Sequence, residues 1–184
     1  SSQSIFTSHS PYVLEEFHLE DTHILSKSPD GIIKQHPIDL PANIKLKRYR
    51  QEFRTRFCEG LLSRRVLVAE GATEADSIPL VFRRLAELNP DVYSSLEALG
   101  ICTIDAGGEG NISGIASLYK ELGKQVFSFC DQQNAENQAK IDAVVEVNYM
   151  HNQKGFENFV IMNSQAVELT SFIVVLDWLD NVAA

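Results

Sequence analysis

Three times along this chain a short apolar run ends in an acid. Val66-Leu67-Val68-Ala69 precedes Glu70, Ile101-Cys102-Thr103-Ile104 precedes Asp105, and Gln125-Val126-Phe127-Ser128-Phe129-Cys130 precedes Asp131. Apolar runs this short, with little alternation, predict strands buried on both faces. Between them the period changes. Ile78, Val81, Leu85 and Leu88 recur at three- and four-residue steps, as do Ile112, Ile115, Leu118 and Leu122, and each set predicts a helix with one apolar face. Thr73 with Asp76 is the expected cap of the first helix. Pro79 is expected in its first turn, where a missing N–H is harmless, and Asn89-Pro90-Asp91 ends it. A fourth strand is expected within residues 141–147. Residues 156–178 read as helical, although Phe172 to Leu176 is apolar enough for a strand.

The first third of the chain reads differently. Residues 4–10 predict a strand running into a His-Ser-Pro turn. Thr22-His23-Ile24-Leu25 and Gly31-Ile32-Ile33 flank Ser28-Pro29-Asp30-Gly31, a hairpin signal. From Ala42 to about Ser63, Leu46, Tyr49, Phe53, Phe57 and Leu61 form the apolar stripe of a long helix. The alternation that follows predicts an α/β fold: a parallel sheet flanked by helices, preceded by a small β region and a long connector helix.

Composition supports a packed core, with 44% hydrophobic and 22% charged residues among 184. No apolar run approaches the ~20 residues needed to cross a bilayer. The opening Ser-Ser-Gln-Ser-Ile-Phe-Thr lacks an initiator Met and any signal-peptide character, so the chain is expected to begin inside a larger protein. Cys58, Cys102 and Cys130 form no CxxC; Cys102 and Cys130 fall inside apolar runs and are expected to be buried thiols of a cytoplasmic protein. A net charge of −9 argues against a uniformly basic nucleic-acid binder. Yet eight of the 16 Lys and Arg residues lie between Lys45 and Arg65. Among them Lys45, Lys47, Arg48 and Arg54 are candidate DNA contacts, against the alternative of a solvated helix face.

The strand-end acids change the picture most. If their strands are neighbours, Glu70, Asp105 and Asp131 converge on the crevice where open α/β sheets bind ligands. Glu74 adds a second acid about one turn after Glu70. Clustered carboxylates repel unless a proton or cation holds them. A set of oxygen donors with no Cys or His favours Mg²⁺ or Mn²⁺ over zinc. Two such ions ~4 Å apart suit phosphodiester hydrolysis. Gly107, Gly108 and Gly110 would let backbone N–H groups approach a phosphate.

Leu67-Val68-Ala69-Glu70-Gly71-Ala72-Thr73-Glu74, then Ile104-Asp105-Ala106-Gly107-Gly108, then Phe129-Cys130-Asp131, resemble the successive motifs of a TOPRIM domain. Ile5-Phe6-Thr7-Ser8-His9-Ser10-Pro11 resembles the final strand and switch histidine of ABC-type ATPase domains. An ATPase tail followed by TOPRIM is the arrangement of OLD-family ATP-dependent nucleases, to which Gabija-type nucleases are similar. The resemblance implies residues 1–63 as the end of an ABC-type ATPase domain with its connector helix, and residues 64–184 as a TOPRIM nuclease domain with a C-terminal helix. It implies a Mg²⁺- or Mn²⁺-dependent DNA endonuclease, in phage defence or DNA processing, regulated by ATP and oligomeric through its ATPase domains. Glu70, Glu74, Asp105 and Asp131 would be its metal-centre acids, with Glu157 as a last metal ligand. Lys154 would stabilise charge on the phosphate, and His9 would reach the γ-phosphate of ATP. The chain has no G-x-x-x-x-G-K-[ST] loop, so its ATP site would be incomplete.

One departure stands out. TOPRIM domains often carry Asp-x-Asp at the third strand, whereas this chain reads Asp131-Gln132-Gln133. A neutral Gln133 weakens metal binding there, with Glu109 and Glu136 close enough in sequence to compensate. The alternatives are therefore a catalytically degenerate TOPRIM scaffold for oligomerisation or partner-protein binding, and a receiver-like module that accepts phosphate on a strand-end acid.

Overall fold

The structure, a computed structural model, describes residues 3–14, 16–18, 21–28, 30–38 and 54–175. Two sheets are present among them. Strands β1 (His23–Lys27) and β2 (Ile33–Pro37) form an antiparallel hairpin, with Leu25 opposite Gln35. A short helix, α1 (Pro11–Leu14), precedes it. The expected strand over residues 4–10 does not form; these residues have no regular structure and are mostly exposed, so they lack the neighbouring strand that pairing requires.

The second sheet holds β3 (Arg65–Ala69), β4 (Ile101–Asp105), β5 (Gln125–Cys130) and β6 (Val147–Met150), all parallel, in the order β4-β3-β5-β6. Helix α2 (Arg54–Leu62) leads into β3, and α3 (Ala72–Leu88), α4 (Ile112–Glu121) and α5 (Ala135–Asp142) join successive strands. Helices α6 (Phe156–Asn163) and α7 (Ala166–Val175) follow β6. Of the predicted connector helix, only α2 lies in the described residues. Phe57 and Leu61 of its stripe are buried, and Leu46, Tyr49 and Phe53 lie outside the described residues.

Both faces of the sheet are covered, which explains the unbroken apolar runs. Val66, Val68 and Ile104 pack with Ile112, Ile115 and Tyr119 in the larger core. Leu67, pointing the other way, packs with Ile78 and Leu96, with Phe82, Phe127 and Phe129 against them. Ile24 and Ile38, from and just beyond the hairpin, belong to the larger core as well. Arg65 is held by Gln125 at 2.9 Å and by the Leu99 carbonyl at 2.7 Å. Arg56 pairs with Asp76. Two of the basic residues near β3 thus pin the fold together.

Three local expectations are corrected. Helix α3 begins at Ala72 with Gly71 as its N-cap and no side-chain cap, so Thr73 lies inside the helix and Asp76 instead meets Arg56. Because the helix starts so early, Pro79 sits in its interior rather than its first turn. The fourth strand spans Val147–Met150; Ile141 belongs to α5 and is 1% exposed, packed into the core. Residues 172–175 are helical, in keeping with the helical reading of this stretch.

Candidate functional site

Strand order decides which acids meet. The chain runs from β3 to β4 on one side, then crosses to β5 on the other, so the order reverses between β3 and β5. That reversal opens the ligand crevice of such sheets at the carboxyl ends of those two strands. Glu70 follows β3 directly and Asp131 follows β5 directly.

These two acids are joined. The Asp131 N–H donates to Glu70 Oε2 at 3.1 Å, and Gln133 Nε2 donates to the same oxygen at 3.1 Å. The Glu70 N–H donates to the Phe129 carbonyl at 3.1 Å, continuing the β3–β5 ladder past the end of β3. Burial, opposed by the Asp131 N–H and reinforced by repulsion from Asp131, Glu74 and Glu109, raises the Glu70 carboxyl above its ordinary range.

Glu74, in the first turn of α3, is 7% exposed. A Cβ at Gly71 would come within 3.1 Å of Glu74 Oε2, so the carboxylate folds back over the strand-to-helix turn. Burial raises this carboxyl too, with Asp131 and Glu157 adding repulsion and backbone N–H groups opposing it. Glu109 and Glu157 thus lie within electrostatic reach of the central acids, although both side chains are exposed. Glu136 is instead engaged by Lys140 at 2.7 Å on an exposed helix face, so it does not compensate for Gln133.

Asp105 sits at the end of β4, beside Ala69 in register. Its Oδ1 accepts the Gly107 N–H at 2.6 Å, closing its own turn. Gly107 and Gly108 have φ of +67° and +125°, backbone that side chains rarely adopt, and the Gly108 N–H donates to the Glu70 carbonyl at 2.8 Å. The glycine turn therefore anchors Glu70. Beyond it, Glu109, Ser113, Asn137 and Lys140 line a polar cavity of about 320 Å³.

His151, which no motif flagged, and Gly155 complete the site. His151 follows β6, and the register of Cys130 with Met150 brings it beside Asp131. Its side chain is 6% exposed, stacked on Phe159 with centroids 4.6 Å apart and near Phe129. His151 Nε2 lies 3.0 Å from Asp131 Oδ1, but the pair is misaligned and neither atom has a hydrogen bond. The Gly155 N–H donates to Asp131 Oδ2. The residue before it, Lys154, is exposed, and its carbonyl accepts from Asn158 at 2.8 Å.

Among the described residues no three acidic, histidine or cysteine side chains gather tightly enough to hold a metal ion by themselves. The predicted ligands do not form one cage: Glu70 and Asp131 meet, Glu74 stands behind them, Asp105 closes its turn and Glu157 flanks. A hard cation fits the pair nonetheless. Mg²⁺ usually takes one or two carboxylates and keeps its waters. Asp131 Oδ1 and Gln133 Oε1 are buried oxygens without a hydrogen bond. Cys130 lies behind the acids, its thiol pushed up to about 12 by burial and by Glu70 and Asp131, and it donates to Asn148 Oδ1 at 3.4 Å. His9 is exposed, and Lys45, Lys47, Arg48 and the side chain of Arg54 lie outside the described residues.

No helix among the described residues is long and apolar enough to cross a membrane. No curated protein matches the chain. Residues 61–132, from the end of α2 through Glu70, Asp105 and Asp131, match the family model described as the TOPRIM domain of proteins like the overcoming lysogenization defect protein.

Proposed function

We propose that this chain carries a Mg²⁺- or Mn²⁺-dependent nuclease centre that cuts DNA phosphodiester bonds, as part of an OLD-type protein whose ATPase domain controls it. The observation that carries the reading is the part-buried, hydrogen-bonded Glu70–Asp131 pair at the sheet's reversal point, inside the stretch similar to OLD-like TOPRIM domains. Glu70 and Asp131 would hold the cation, and Glu74 would add negative charge behind them. Bound there, a divalent ion would polarise the phosphate and lower the pKa of an attacking water. Glu109 and Glu157 would extend the acidic rim, with Asp105 fixing the glycine turn. Lys154, next to the Asp131-bound Gly155, would offset charge on the phosphate. Lys45, Lys47, Arg48 and Arg54 would guide DNA, and His9 would contact ATP in the complete protein.

The test is incubation of the full-length protein with supercoiled and linear DNA and Mg²⁺ or Mn²⁺. Cleavage that requires the metal and disappears in Glu70→Ala is expected. No cleavage by the wild type, or undiminished cleavage by Glu70→Ala, would remove the proposal. The second reading, a non-cutting scaffold that holds a partner protein or a second copy, draws on the amide at Gln133 and the absence of a three-ligand cluster among the described residues. A chain that binds no divalent ion at this pair would favour it.

A further inference from the structure

Gln133 stands where a second carboxylate is usual, and what it does there is specific. It is 8% exposed. Its Nε2 donates to Glu70 Oε2 and to the Asp131 carbonyl, both at 3.1 Å, while its backbone N–H meets Met150 Sδ at 3.4 Å. Chemistry fixes the orientation of the amide, because reversing it would set an oxygen against two acceptors. Glu70 Oε2 also accepts the Asp131 N–H, so both lone pairs of that oxygen are engaged by N–H donors.

We propose that Gln133 makes this a one-cation centre, its amide N–H filling the place on Glu70 that a second divalent ion would take. Glu70 Oε1 remains for a cation. Asp131 keeps a lone pair on each oxygen after accepting Gly155 N–H at Oδ2 and facing His151 at Oδ1. Gln133 Oε1, on the same amide, is buried and without a hydrogen bond. Two carboxylates and retained waters make a set that one Mg²⁺ or Mn²⁺ satisfies. A second ion would have to displace two N–H donors from Glu70 Oε2, and position 133 offers it no negative charge in return.

The inference rests on the metal-dependent reading above, and the two fail differently. Titrate the full chain with Mn²⁺, without nucleotide, in a calorimeter. One ion per chain is expected for the wild type, and two for Gln133→Asp, which replaces the N–H donor by a carboxylate. Two ions in the wild type, or one in a folded Gln133→Asp variant, would overturn the inference while leaving the nuclease proposal intact. No binding at all would overturn both. Should Gln133→Asp fail to fold, electron paramagnetic resonance of the wild type at saturating Mn²⁺ decides. An uncoupled spectrum upholds the one-cation centre, and an exchange-coupled pair overturns it.

Discussion

Glu70 Oε2 accepts the backbone N–H of Asp131 at 3.1 Å, although the two residues lie 61 positions apart. The contact exists because β3 and β5 are adjacent and parallel, and because each acid is the first residue after its strand. A main-chain donor places the Glu70 carboxylate whatever side chain follows at 131. Glu70→Gln should therefore keep the fold, since a side-chain amide oxygen accepts the same N–H. It should lose divalent-ion affinity and DNA cleavage by about 100-fold or more, beyond the 10–100-fold typical of losing a mere supporting partner. Circular dichroism with Mn²⁺ titration checks this; wild-type affinity in Glu70→Gln would exclude Glu70 as a ligand.

The metal-free protein should lose stability as pH rises through the weakly acidic range. Glu70 and Glu74 are both raised in the folded chain, so the native state binds more protons than the unfolded one. Stability then falls with pH from the ordinary carboxylate range up through the raised native values, after which no further loss accrues. Divalent ions should offset part of the loss by binding the ionised pair. Melting curves across pH, with and without Mg²⁺, test this. Glu74→Gln should flatten the metal-free profile, and a Tm that climbs with pH over that window would contradict the assignment.

His151 is placed to steady Asp131. Replacing it by Phe keeps the stack on Phe159 but deletes the nitrogen 3.0 Å from Asp131 Oδ1. Mn²⁺ affinity should drop about 10–100-fold with the fold retained. His151→Gln, which returns a polar group beside Asp131, should recover part of it. Equal affinities for wild type and His151→Phe would assign the histidine to packing alone.

Gly60 tests the core beneath the sheet. A Cβ there would lie 2.6 Å from Tyr119 Oη and 2.8 Å from its Cζ. That hydroxyl donates to the Phe57 carbonyl at 2.9 Å within a fully buried environment. Gly60→Ala should destabilise the chain by about 1–3 kcal/mol through overpacking. In thermal melts this is a drop of roughly 2–4 °C per kcal/mol for a chain of this size. An unchanged Tm would mean that Tyr119 can move aside.

The sheet was legible because buried parallel strands write themselves as continuous apolar runs, and the acids after Ala69, Ile104 and Cys130 marked where those runs stop. Strand order was not legible, and it is what separates Glu70 and Asp131, which meet, from Asp105, which closes its own turn. The start of α3 was misread because Thr73 and Asp76 mimic a capping box, while an extended Gly71 makes the turn unaided. Val144 and Val145 suggested a strand but pack against the core after α5, ahead of β6. His151 carries no local signal. Its partner lies 20 positions earlier, and only the pairing of Cys130 with Met150 brings them together.

Strands β3 and β5 each have a hydrogen-bonded neighbour on both sides, whereas β4 and β6 lie at the margins of the sheet. Fraying at either margin can expose those outer amides to hydrogen exchange without separating Glu70 from Asp131. The amides of Val68 and Ser128 should accordingly be among the last to exchange. The spacing of the two acids is therefore set by the two most protected strands, so an ion exchanging at the crevice would meet the same pair of carboxylates each time.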